Sequence, residues 1–232
     1  MKTINNDSII ELVNLSKTFN PGTKLELNII KNINLKFYQA LSYSITGKSG
    51  TGKSTLLQII GGLDEPTEGK VLVRGQDYSN LNDNQKSKIR NQKFGYIFQN
   101  NLLLEDFNVL ENVMMPFLIF GKKKEDCLER AKSLLDRVGL IPKINKMPNI
   151  LSGGEKQRVS VCRSLINKPE LILADEPTGS LDEENAKIIE DLLFSLVREE
   201  RVSLLLVTHN KEFADKADKK YILRNRGLEY EE

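Results

Sequence analysis

Apolar and polar residues follow one another in two different ways along this chain. In Ile9–Leu15 and Ile29–Phe37 they alternate, as in strands with one covered and one exposed face, so a small antiparallel sheet is expected near the start. Leu171–Ala174 (LILA) and Leu204–Val207 (LLLV) are continuously apolar, which predicts strands buried on both faces, the habit of parallel sheets covered by helices. Between those two, Ile189, Leu192, Leu193, Leu196 and Val197 recur at helical spacing. Strand, helix, strand over such lengths is a βαβ unit, so the expected class is α/β with a mostly parallel sheet. Upstream, Leu41–Thr46 stops abruptly at Gly47; a glycine-rich turn follows, then Thr55, Leu56, Leu57, Ile59 and Ile60, a strand–loop–helix pattern.

The middle is different. Leu128, Ala131, Leu134, Leu135 and Val138 mark an amphipathic helix stopped by Gly139, with Pro142 just beyond. Gly121–Lys124 (GKKK) ahead of it reads as an exposed turn. Residues 100–158 are therefore expected to form a helical insertion within one α/β domain spanning 1–232, with the antiparallel β subdomain at its N-terminal side.

Composition narrows the partners. In 232 residues, 39% are hydrophobic, enough for a sizeable core, and 34 Lys+Arg against 32 Asp+Glu leave a net charge of +2. That is too near neutral for bulk attraction to nucleic acid, so no nucleic-acid partner is expected and any anion site must be local. The apolar runs fall far short of the ~18–20 residues that cross a bilayer. The stretch MKTINNDSIIELVNLSK carries Asp7 and Glu11 and lacks a continuous apolar segment, which argues against a signal peptide. Cys127 and Cys162 stand in unrelated contexts and form no CxxC pair, a usage that suits a reducing compartment.

Candidate chemistry begins with Gly47-Lys48-Ser49-Gly50-Thr51-Gly52-Lys53-Ser54, which matches G-x-x-x-x-G-K-[ST]. Glycines let successive backbone N–H groups face one anion, and the helix that follows adds the positive end of its dipole. Lys53 supplies a point charge for β- and γ-phosphates, and the Ser54 hydroxyl is placed for Mg²⁺. Such a loop needs a metal partner on a neighbouring strand. Asp175, which closes the apolar run Leu171–Ala174, is expected to hold Mg²⁺ through water, and Glu176 beside it to orient the attacking water as general base. A strand ending in Asp-Glu is by itself more often a cap or a surface turn; the phosphate loop reverses that balance.

Three further features separate the chain from kinases and small GTPases. Leu151-Ser152-Gly153-Gly154-Glu155-Lys156-Gln157-Arg158 opens a helix with a hydroxyl and two glycines, a second anion nest far along the chain. One nucleotide does not need two nests from one subunit; two nucleotides shared by two subunits do. Gln99 follows the strand-like Gly95-Tyr96-Ile97-Phe98, where its amide could reach metal or water. His209, the single histidine, stands just past a buried strand, at the end where α/β sheets bind ligands, as a γ-phosphate contact.

This set, in this order, resembles the nucleotide-binding domain of ABC transporters over nearly the whole chain. Gly47–Thr55 is similar to Walker A, Gln99 to the Q-loop glutamine, Leu151–Gln157 to the signature motif and Leu171–Asp175 to Walker B. Glu176 is similar to the catalytic glutamate, Ser180-Leu181-Asp182 to the D-loop and His209 to the switch histidine. The resemblance implies a RecA-like P-loop ATPase core, with ATP and Mg²⁺ as cofactors. It implies Thr55, Ser152, Gly153, Gly154, Glu155 and Asp182 among the nucleotide contacts, Gln99 among the metal ligands, and Phe19 stacking on adenine where a tyrosine is commoner. Two copies would meet head to tail, ATP on Lys53 of one capped by Ser152 and Gly154 of the other. The region of Leu102, Leu103, Leu104 and Phe107 would receive a short helix of a separate membrane subunit.

A finer likeness runs through Gly61–Thr67, Arg90–Gly95, Asn101–Phe107, Glu111–Pro116 and Gly121–Lys124, which are similar to the ATPase subunits of bacterial lipoprotein-releasing transporters. Asn100 and Asn101 stand near where that group carries paired histidines. The likeness implies a peripheral motor on the cytoplasmic face of the inner membrane, with separate permease subunits. MacB-type exporters and FtsE-type division ATPases share much of the pattern and stay open as alternatives. A non-transport ABC ATPase is disfavoured, because each motif occurs once and no heptad run separates phosphate loop from signature.

Overall fold

The computed structural model describes residues 8–231; residues 1–7, on which part of the leader reading falls, and residue 232 lie outside the described residues. The chain opens with a long hairpin, β1 (Ser8–Phe19) against β2 (Leu27–Tyr38). The alternation expected of β1 is broken more than once: Ile9 and Ile10 are both buried, and the register shifts at several points. The register shifts between Leu12 and Leu15 around Asn14, at φ 49°, so that both leucines are buried although three positions apart. After β3 (Ser42–Thr46) and α1 (Lys53–Ile60), β4 (Glu68–Val73) and β5 (Gln76–Asp77) complete an antiparallel sheet ordered β2-β1-β4-β5.

The second sheet is built around β3. Helix α2 (Asp83–Lys93) leads into β6 (Phe94–Ile97), and three helices follow: α3 (Val109–Leu118), α4 (Glu125–Arg137) and α5 (Gly153–Leu165). Then come β7 (Leu171–Asp175), α6 (Glu183–Glu200), β8 (Ser203–Val207), α7 (Lys211–Asp215), β9 (Lys219–Arg224) and β10 (Gly227–Glu231). The strand order is β10-β9-β3-β8-β7-β6, all parallel except β10 against β9. The expected ends shift slightly: β3 begins one residue after Leu41, β6 stops before Phe98, and β7 runs on to include Asp175.

Continuous apolar strands pay off on both faces of this sheet. Leu171, Leu173, Leu205 and Val207 face one core with Tyr43, Ile45, α1 and the antiparallel sheet, while Ile172, Ala174, Leu204 and Leu206 face a second core with α3 to α6. Cys127 and Cys162 are buried free thiols in that second core; burial pushes the Cys162 thiol up to about 12, which keeps it protonated and inert. Helix α4 ends as its sequence foretold. Gly139, at φ 70°, donates to Asp136, and Leu140 donates to Leu135, two bonds that satisfy the last carbonyls and bring two buried leucines together.

The stretch between β6 and α3 has no regular structure, yet it is pinned by one side chain. Asn112 on α3 is 0% exposed. Its Oδ1 accepts from the Leu104 N–H at 2.8 Å, and its Nδ2 faces the carbonyls of Leu104 at 3.0 Å, Phe107 at 2.8 Å and Asn108 at 3.1 Å. A buried amide with this many partners substitutes for the hydrogen-bond ladder the loop lacks. Asn112→Ala leaves those groups buried without partners. It is expected to lower unfolding stability by about 2–4 kcal/mol, read from the midpoint of urea unfolding at unchanged slope.

Candidate functional site

Because β3, β8, β7 and β6 are parallel, their C-terminal ends lie along one edge of the sheet, and the residues that leave them converge there. Gly47 follows β3, Gln99 lies just past β6, Asp175 closes β7 and His209 lies just past β8. A cavity of about 400 Å³ opens between them. It is lined by Ser49, Gly50, Gly52, Lys53, Ser54 and Thr55 of the glycine loop, by Gln99, Glu176 and His209, and by Ile29 of β2.

The loop has two positions where only glycine fits. Gly52 sits at φ 102°, and a Cβ there would lie 2.2 Å from Ile29 Cγ2; a Cβ on Gly47 would lie 2.7 Å from the Leu223 carbonyl oxygen. Gly52 is also the N-cap of α1 and brings no side-chain acceptor, so the first N–H groups of the helix face the cavity unclaimed by a cap. Lys53 is only 7% exposed, and its ammonium donates to the carbonyls of Gly47 at 3.0 Å and Lys48 at 3.1 Å. The loop is thus folded around its own cation, with Thr51 Oγ1 closing it on Lys48 O at 2.9 Å.

Across the cavity, Ser54 Oγ donates to Asp175 Oδ1 at 3.0 Å. Burial pushes the Asp175 carboxyl above the usual carboxylate range; the Ser54 hydroxyl and Lys53 pull it down, and the neighbouring Glu176 pushes it up. Glu176 occupies the left-handed region at φ 45°, unusual for a residue with a Cβ, and is held there by its own N–H donating to Val207 O at 2.9 Å. Its carboxylate is clamped by the two residues that follow β8: Thr208 Oγ1 donates to Oε2 at 3.1 Å, and His209 Nδ1 lies 2.9 Å from Oε1. Each oxygen has a second lone pair, so a water could still donate to it. Gln99 packs over Gly179, whose absent Cβ would lie 3.0 Å from Gln99 Nε2, and its carbonyl accepts from Ser180 Oγ at 3.2 Å.

The second nest stands apart. Ser152 to Glu155 and Asp182 do not line this cavity; they pack on one another, where a Cβ on Gly154 would lie 2.7 Å from Asn185 Oδ1 and one on Gly153 3.3 Å from Leu181 Cδ2. Ser152 caps α5 by accepting from the Glu155 N–H at 3.3 Å. Glu155 reaches back to the Ser152 N–H at 3.0 Å and takes Lys143 at 2.6 Å, so both its oxygens serve the helix start. These contacts, Lys143 first, hold the Glu155 carboxyl below its ordinary range. Asp182 likewise caps α6 through the Asn185 N–H at 2.9 Å. Phe19 ends β1, 38% exposed, with the Lys17 ammonium 5.0 Å above its ring, outside the cavity lining.

Two lining or clamping residues escape the motifs. Thr208 was within reach, since a hydroxyl directly before His209 at a strand exit has few other uses. Ile29 was not, because nothing in a half-exposed strand far upstream signals that it will roof a glycine.

Residues 30–179 match the family described as ABC transporter. The chain is similar to the lipoprotein-releasing system ATP-binding protein LolD of Buchnera aphidicola subsp. Schizaphis graminum, 47% identical over 92% of this chain and 93% of that one. LolD of Rickettsia conorii is 44% identical over 96% of this chain and 98% of its own. Among solved structures, a dimeric ATP-binding cassette in a post-hydrolysis state with ADP and Pi superimposes with a TM-score of 0.85 at 38% identity, covering 96% of this chain and 97% of that one.

The Asp175 environment has a measurable consequence. A carboxyl whose folded pKa lies above its unfolded one is ionised at a cost to the fold, so it weakens the fold as pH rises through that window. Asp175→Asn keeps an oxygen for the Ser54 hydroxyl and removes the charge. Calorimetry is expected to show a higher Tm for this variant at pH 7. The difference should vanish below about pH 3, where the acid is protonated folded and unfolded alike.

Proposed function

Since the chain belongs to the ABC transporter family, we propose that it is the ATP-hydrolysing subunit of a transporter that releases lipoproteins from the bacterial inner membrane, working as a head-to-tail dimer with separate permease subunits. The observation that carries the dimer is the split site: the cavity holds one helix N-terminus, and the second, at Ser152, lies on the same chain outside it. Two copies related head to tail bring each Ser152 nest to the other copy's phosphate loop, as the dimeric cassette of similar fold supports. The lipoprotein cargo rests on the shared name of the relatives at 47% and 44% identity. Among the described residues no helix is long and apolar enough to cross a membrane; in this reading separate permease subunits supply the membrane spans, and this subunit sits at the cytoplasmic face.

In this reading residues 100–158 form a helical subdomain of a single domain, and Phe19 stacks on the adenine. Lys53 and the N–H groups of the glycine loop hold the β- and γ-phosphates. Ser54 and Asp175 already share a hydrogen bond, and with Gln99 they offer the hard oxygens that Mg²⁺ takes alongside substrate phosphates. Bound there, Mg²⁺ would neutralise charge on the bridging phosphate region. Glu176 accepts a proton from the water that attacks the γ-phosphorus as the bond to ADP breaks. Thr208 and His209 fix the carboxylate's direction, and His209 faces the γ-phosphate. From the second copy, Ser152, Gly153 and Gly154 close over that phosphate; Glu155 and Asp182 act by shaping the two helix starts.

Four side chains follow Gln99 on the surface expected to meet the permease, but they divide. Leu102 and Leu104 are 57% and 42% exposed and Phe107 is exposed too, whereas Leu103 turns inward against the helical core. Leu102 lines a groove with Pro116, Ile119 and Phe120, and in this reading it is the residue that meets a permease helix.

Glu176→Gln is expected to lower steady-state hydrolysis by ~10²–10⁴-fold and to accumulate an ATP-bound dimer on gel filtration. Adding Ser152→Arg to the same chain should prevent that dimer; near-normal turnover by Glu176→Gln refutes the assignment. For the cargo, the chain co-expressed with its permease subunits and reconstituted into lipoprotein-loaded proteoliposomes should release lipoprotein only with ATP. Leu102→Asp should fold normally and fail to co-purify with those subunits. ATP-dependent assembly without lipoprotein release would assign a different cargo.

A further inference from the structure

The five carbonyls from Phe98 to Leu102 are all tied, and mostly not to one another. Phe98 O accepts from Gln157 Nε2 at 3.5 Å and from the Asn101 N–H at 3.2 Å, Gln99 O from Ser180 Oγ at 3.2 Å, and Asn100 O from the Leu102 N–H at 2.5 Å. The last two go to a single side chain: Arg163 of α5 donates to Asn101 O at 2.6 Å and to Leu102 O at 2.7 Å. Both of those residues are in the left-handed region, at φ 55° and 49°, two in succession without a glycine. Such a conformation persists only when its surroundings over-determine it.

Arg163 is an unusual clamp. Among the described residues Arg163 forms no ion pair, and burial pulls its pKa down, so a largely covered cation is satisfied by backbone carbonyls. An apolar residue at this position would leave both carbonyls without this donor. The strap it holds joins three things: Gln99 at the cavity, Leu102 in the groove that meets the permease, and, through α5, the Ser152 nest.

We propose that Arg163 is a positioning residue that locks the 98–102 strap to the signature helix, so that Gln99, Leu102 and Ser152 move as one body. This rests on the transporter reading above. A two-pronged guanidinium is needed because two adjacent carbonyls, turned by successive left-handed residues, must be held at once. Arg163→Lys can hold one of them, and Arg163→Ala neither.

The test uses the full chain, alone and co-expressed with its permease subunits. For the chain alone, Arg163→Ala is expected to keep its KM for ATP within about twofold while kcat falls about tenfold, with Arg163→Lys recovering only part of the loss. Amide hydrogen exchange should quicken about tenfold or more across 98–104 in Arg163→Ala and stay as in the parent in β7 and β8. In the complex, recovery of permease with the Ala variant should drop in parallel. Unchanged kcat and unchanged exchange at 98–104 overturn the proposal. So does a loss spread over KM, kcat and the exchange of β7 and β8 together, which makes Arg163 a general stabiliser. If the Ala variant does not fold, the Lys variant decides by the same readings at smaller amplitude. A parent chain that hydrolyses ATP but recovers no membrane protein overturns the transporter reading instead, leaving kcat and exchange to judge Arg163.

Discussion

Parallel pairing of β3 with β8, β8 with β7 and β7 with β6 places four strand exits side by side, and every reactive group of the cavity hangs on that alignment. Ser54 meets Asp175 at 3.0 Å only because the strand before the glycine loop is separated from the strand that Asp175 closes by β8 alone. Reversing any one of these strands would carry its exit to the far edge of the sheet. The apolar side chains on both faces of β7 and β8 hold the register, so the two cores and the site are products of one arrangement.

That edge concentrates charge, and the fold answers it with partners rather than with water. Lys53 is wrapped by loop carbonyls, Asp175 takes the Ser54 hydroxyl, and Glu176 is held from two sides by Thr208 and His209. Backbone strain at Glu176 follows from the same crowding: to turn its carboxylate toward β8, the residue adopts a left-handed conformation, and the bond to Val207 keeps it there. Burial raises the Asp175 carboxyl above its ordinary range, so holding it ionised in this place costs stability.

A second theme is division between copies. The Ser152 nest is finished in itself, its capping box closed by Glu155 and Lys143, and it packs against the start of α6 rather than against the phosphate loop. A nest already rigid before it meets a nucleotide can report that meeting to whatever else is fixed to α5. The strap from Phe98 to Leu102 is fixed to it, by Gln157 and Arg163. In the proposed dimer, closing the site between two chains and moving the groove at Leu102 would thereby be one displacement.

The glycine loop after β3, the Asp-Glu pair at the end of β7, and the helix opened by Ser152 with its start signal were all legible in the sequence as local structure. Each is a short backbone device whose residues are contiguous, so local chemistry suffices to specify it. The α/β class was legible too, since apolar runs without alternation have few other uses. Tertiary structure alone decided what depends on distant segments meeting. It set Ile29 over Gly52, turned Leu103 inward while leaving Leu102 exposed, and left Phe19 under Lys17 and outside the cavity lining. It also gave Arg163 two carbonyls to hold. Those outcomes turn on backbone angles and on packing across more than fifty positions of chain in the case of Arg163, and no local pattern of residue types encodes a contact of that reach.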